Sequence, residues 1–78
     1  PLPAMDAIAA LFGLTAAEKR VASQIAAGRS RQEIALSSGV SDGTVKSQLA
    51  AIFDKTDTRD QRMLELLLRD LTPAMWTH

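Results

Sequence analysis

Three times in this chain a hydroxyl-bearing residue is followed, three positions later, by Glu or Gln: Thr15 with Glu18, Ser30 with Glu33, and Thr58 with Gln61. Each pair can close a capping box, in which the two side chains satisfy free backbone N–H groups at the start of a helix. Apolar residues after each pair recur at spacings of three and four, no stretch alternates with period two, and proline occurs only at Pro1, Pro3 and Pro73. Repeated helix starts without strand patterning predict an all-α fold. At 78 residues the chain can hold one small domain around one core, which excludes a multidomain enzyme.

The expected helices follow from this punctuation. Met5, Ile8, Ala9 and Phe12 share one face of a short, extra N-terminal helix that Gly13 can end. The next helix begins near Ala16, turns Val21, Ala22, Ile25 and Ala26 inward, and stops near Ala27 before Gly28. From Ser30 a helix of about two turns carries Ile34 and Ala35 inward and ends at Gly39. Ser41 can cap a longer helix whose buried stripe is Val45, Leu49, Ile52 and Phe53 and which is expected to reach about Asp54. Thr58 and Gln61 are expected to open the last helix, running through Met63, Leu64, Leu66, Leu67, Leu68 and Leu71 until Thr72 and Pro73 end it; residues 74–78 are expected to fray.

Composition removes several function classes. There is no cysteine, so neither a disulfide nor a thiolate metal site can reinforce the core. The only histidine is His78 and tyrosine is absent, which leaves no internal imidazole base, no grouping of nucleophile, base and orienting residue, and no call for a cofactor. Nine Lys plus Arg balance nine Asp plus Glu, so nucleic-acid affinity cannot be argued from net charge. No apolar run approaches the length of a membrane span and the N-terminus lacks a signal peptide's features, so the chain reads as soluble and cytoplasmic, without a membrane partner. Its start at Pro1 rather than Met fits a piece of a longer polypeptide.

The informative stretch is 31–50, where a short helix, a tight turn at Gly39, Val40 and Ser41, and a longer helix follow without slack. That is helix-turn-helix spacing: Ala35 is small where the second helix crosses, Gly39 lets the chain reverse, and Val40 with Val45 is expected to fill the angle between the helices. An ordinary αα-corner uses the same glycine logic and needs no DNA.

An ordered series carries the argument further: Thr15 with Glu18, Ala27-Gly28, Glu33-Ile34-Ala35, Gly39-Val40-Ser41, Thr44-Val45-Lys46, Leu49, Ile52-Phe53 and Lys55-Thr56. From Leu14 to about Leu71 the chain resembles the LuxR-type (GerE-type) DNA-binding domain of bacterial transcription regulators, including its response regulators. Region 4 of sigma factors shares the Glu-Ile-Ala and Thr-Val-Lys elements, and the leucine-rich last helix favours the LuxR type. The resemblance implies a four-helix domain over 14–71, preceded by a linker or short helix over 1–13 and followed by a tail over 72–78. It further implies that the helix of about 42–54 enters the major groove of double-stranded DNA, that the last helix pairs with a second copy, that a sensor or receiver domain lies N-terminal in the full protein, and that RNA polymerase is a candidate further partner.

With Val45 and Leu49 inward, Gly43, Lys46, Ser47, Ala50 and Asp54 fall on the outward arc, flanked by Thr44 and Gln48. Lys46 is the first candidate for base reading, able to reach a guanine edge or a phosphate; Ser47 and Ala50 can add weak base contacts, the latter to a thymine methyl. Ser41 and Thr44, at the helix start, suit a phosphate oxygen, although Ser41 is equally a simple cap. Gln48 stands where the family often carries histidine and can still donate one amide bond to the backbone; Arg29 and Arg31 can reach phosphates from the start of the preceding helix. Asp42 and Asp54 oppose phosphate unless each caps, pairs with lysine or accepts from a cytosine amine, and Leu36 and Ser37 stand where the family often has arginine. Salt dependence is therefore expected to be shallow, about three or four counterions per copy. An interaction module that keeps the helix-turn-helix shape without DNA affinity is the alternative.

On the last helix Met63 and Leu66 extend the apolar surface beyond what one core can cover. A homodimer through these two residues is expected, the alternative being that they pack on the N-terminal helix or on Trp76.

Overall fold

The computed structural model describes residues 3–71, which form five helices and, among those residues, no strand: α1 (Pro3–Phe12), α2 (Ala16–Ala26), α3 (Arg31–Ser38), α4 (Asp42–Thr56) and α5 (Gln61–Leu71). The all-α expectation, with one extra helix before the other four, holds. The expected stop at Thr72 and Pro73, the tail, and any contact by Trp76 lie outside the described residues.

Two of the three capping boxes close. Thr15 Oγ1 accepts from the Glu18 N–H at 3.1 Å while Glu18 Oε1 accepts from the Thr15 N–H at 2.9 Å. Ser30 and Glu33 repeat the exchange at 3.2 and 2.8 Å. The third does not form. Asp60 caps α5, its carboxylate accepting from the Met63 N–H at 2.8 Å. Thr58 instead pairs its hydroxyl with that of Thr56, and the Gln61 amide reaches the Arg29 carbonyl at 3.4 Å. A carboxylate one residue before the helix both caps and complements the helix dipole, so it displaces the more distant hydroxyl.

α2 lies at the centre, packed against α4, α5 and α1, while α3 packs on α4. Their inward faces share one core: Ile25 from α2, Ile34 from α3, Val45 and Ile52 from α4, and Leu64 and Leu68 from α5 are essentially inaccessible. Ile8 of α1 is equally buried, with Met5 and Phe12 packed at the margin, so α1 closes one side of this core. Each such side chain contributes roughly 1.5–3 kcal/mol by leaving water. Phe53, expected in the buried stripe of α4, is only half-buried, and α4 continues to Thr56, whose buried hydroxyl donates to the Ile52 carbonyl at 2.8 Å. Leu67 is likewise half-buried.

Between α3 and α4 the chain reverses at Gly39, which adopts φ 69°, a left-handed conformation costly for any residue with a Cβ. The Val40 N–H then bonds the Ala35 carbonyl at 3.2 Å, which closes the turn. Val40 does not fill the angle between the helices as expected: it is 39% exposed, and Val45 alone is buried there. Val40, in the turn, lines an open groove with Arg20, Val21 and Gln24 of α2, while Val45, one turn into α4, is packed in the core.

Candidate nucleic-acid interface

α4 is held in place at both ends. At its start Ser41 Oγ accepts from the Thr44 N–H at 3.1 Å, the two hydroxyls share a 3.0 Å hydrogen bond, and Arg31 Nε donates to Asp42 Oδ1 at 2.8 Å, fastening α3 to α4. At its end Lys55 Nζ donates to Glu18 Oε1 at 2.6 Å, tying α4 to α2. Glu18 is buried, and its carboxyl is held below the usual glutamate value by the Lys55 ammonium first and by the Thr15 backbone N–H second. The charged form is thus the one the fold stabilises. Glu33 is also lowered, by the hydrogen bonds from Ser30.

Between these anchors one face of α4 is bare. Gly43, Lys46, Ser47, Ala50 and Asp54 are all exposed, whereas Val45, Leu49 and Ile52 behind them are buried. Thr44 is exposed on the flank and Gln48 is half-buried on it. The helical repeat sets Lys46 and Gln48 about 200° apart, one on each side of the bare face. The expected outward arc is therefore exposed as drawn from the sequence.

The expected backbone-contact residues divide. Ser41 and Thr44 meet each other at the head of α4. Arg31 is fastened to Asp42, so the cation that was to reach phosphate faces a carboxylate, and Asp42 pairs with arginine rather than lysine. Arg29 lies apart: its carbonyl joins the start of α5 through Gln61, and its side chain is exposed. On the opposite flank, Gln48 borders a groove of about 260 Å3 shared with Arg20, Val21 and Gln24 of α2, Ser37 and Ser38 of α3, and Val40 of the turn. Arg20 was not among the sequence candidates. It belongs to no motif, and only the fold brings α2 beside α4.

Met63 and Leu66 stand 43% and 48% exposed on α5, so α1 does not cover them. Among the described residues, no grouping of His, Cys, Asp or Glu could hold a metal ion, and no helix is long and apolar enough to cross a membrane.

Sequence comparison decides the family. The family model of bacterial regulatory proteins, luxR family (GerE), matches residues 13–67, well over half of the chain. The chain belongs to the LuxR family. No curated protein and no solved structure gives a significant match. The LuxR-family match starts after α1 and ends within α5, so it takes in α2, α3, the turn at Gly39 and the whole of α4. It makes this a helix-turn-helix domain of the DNA-binding, transcription-regulating type.

Proposed function

We propose that this LuxR-family domain is the output module of a bacterial transcription regulator, placing α4 in the major groove of double-stranded DNA as one half of a homodimer. The observation that carries this reading is the bare face of α4: small and polar side chains open to solvent on a helix whose opposite face is fully packed. Lys46, Ser47 and Ala50 would meet base edges, and the hydroxyls of Ser41 and Thr44, with Gln48, would meet the flanking backbone. Arg31 and Arg29 are secondary in this scheme, since the first must leave Asp42 to reach a phosphate. Met63 and Leu66 would seat the second copy, which doubles the few base contacts available to one.

Binding of the chain to random-sequence duplexes at low salt tests the first part. Lys46→Ala is expected to weaken it about fivefold or more, and an unchanged affinity would remove the role of α4. Sedimentation at increasing concentration tests the second, with Leu66→Asp expected to abolish association. A second reading, an interaction module without DNA affinity, is favoured by Leu36, which is 83% exposed on α3, and by the neutralised Arg31. It requires that the unaltered chain bind no duplex at all.

A further inference from the structure

The two flanks of α4 differ in charge. On the Lys46 side, Asp42 neutralises Arg31. On the Gln48 side, the groove between α2 and the helix turn has no acidic residue in its lining. Arg20 stands exposed at that groove, and neither Arg20 nor Gln48 has a hydrogen-bond or ion-pair partner among the described residues. Neighbouring groups are already engaged: Ser37 donates to Gln24 Oε1 at 2.8 Å and Gln24 Nε2 donates to Ser38 at 3.5 Å, which braces α2 against α3 and fixes the groove's floor. Lys19, Arg31, Lys55 and Arg69 are each paired with a carboxylate, whereas among the described residues Arg20, Arg29, Lys46, Arg59 and Arg62 have no such partner, and of these Arg20 is the one that lines the groove.

A helix lying in the major groove has one phosphate strand along each flank. We infer that the groove bounded by Arg20 and Gln48 is a seat for a backbone phosphate of the duplex, Arg20 supplying the charge and the Gln48 amide a directed hydrogen bond. This rests on the reading of α4 as the DNA-contacting helix and adds a residue of α2 to it. The guanidinium can present two parallel N–H donors to one phosphate, and the absence of a nearby carboxylate leaves that charge undiminished. The seat carries no sequence information, so it sets register and affinity on all duplexes alike.

The test is the salt dependence of binding to random-sequence duplex for the unaltered chain, Arg20→Ala, and Arg62→Ala as an exposed arginine on α5. Arg20→Ala is expected to lower the slope of log affinity against log salt by about 0.9 per bound copy, so that each copy's deficit shrinks about three- to fourfold when salt is raised fourfold. Arg62→Ala is expected to leave the slope unaltered. Should Arg20→Ala bind with the unaltered slope, or should Arg62→Ala lower it equally, the phosphate seat is overturned while α4 keeps its role. Failure of the unaltered chain to bind any duplex would overturn both.

Discussion

α4 and α5 each turn one face into the same core and leave the other bare, yet the two bare faces differ: among the charged residues of α5, unlike those of α4, large apolar side chains stand open to water. On α4 the open residues are small or polar, Gly43, Lys46, Ser47, Ala50 and Asp54; on α5 they include Met63 and Leu66, each more than two-fifths exposed. A wet polar surface such as a base edge is matched by the first, because small side chains let backbone and duplex approach and polar ones replace water's hydrogen bonds. The second gains only by meeting another apolar surface. One small domain can thus keep two contacts from competing, by giving each helix a different solvent preference on its outer side.

Removing what the faces share is expected to have the largest effect. Leu49→Ala on α4 and Leu64→Ala on α5, both at buried positions, are each expected to cost about 2–5 kcal/mol in denaturant unfolding. If one is nearly neutral, the two helices do not share a single core. Next comes the anchor of α4. Glu18→Gln, which discards a charged acceptor from a buried position, is expected to cost about 1.5–3 kcal/mol at neutral pH. Because the folded pKa of Glu18 is lowered, its contribution is fully present above the ordinary value of 4.5 and is lost as pH falls through the lower folded value. The gap between the unaltered chain and the variant should therefore close in acid, and a gap that widened there would contradict the assignment.

The contrast itself is sharpened by crossing the two exposed-face variants. Lys46→Ala is expected to weaken duplex binding by about 1–3 kcal/mol while leaving self-association alone, and Leu66→Asp the reverse, with unfolding stability within about 0.5 kcal/mol in both. Loss of both properties in either variant would mean the faces are not separate. Smallest is Asp42→Asn, which frees Arg31 from an exposed pair: stability is expected to fall by no more than about 1 kcal/mol, and the salt slope of duplex binding to steepen by about 0.9 per bound copy. An unchanged slope would mean that Arg31 meets no phosphate.

Features written within a few residues were legible in the sequence. The boxes at Thr15 and Ser30, the cap at Ser41 and the reversal at Gly39 depend on neighbours three or four positions away, and the structure has them. The inward stripe of α4 followed from helical periodicity, except that Phe53 lies at the rim of the core, where the neighbouring helices no longer cover it. The error at Thr58 arose because Asp60 offers a better cap within the same window, and spacing alone cannot rank two acceptors. Val40 departs from the expectation because its exposure depends on how α2 stands beside the turn, a placement no local pattern encodes. The pairs Arg31–Asp42 and Glu18–Lys55 join residues 11 and 37 positions apart, and Arg20 reaches the flank of α4 only through the packing of α2. The bare face could be drawn from the sequence, whereas the charges around it could not.

Glu18 accepts from the Thr15 N–H and from the Lys55 ammonium through the same oxygen, Oε1. The first turn of α2 and the last turn of α4 therefore hang from one atom, and a swing of either helix would strip a donor from the other's support. Losing that one carboxylate would therefore loosen two junctions at once, the entry into α2 and the exit from α4.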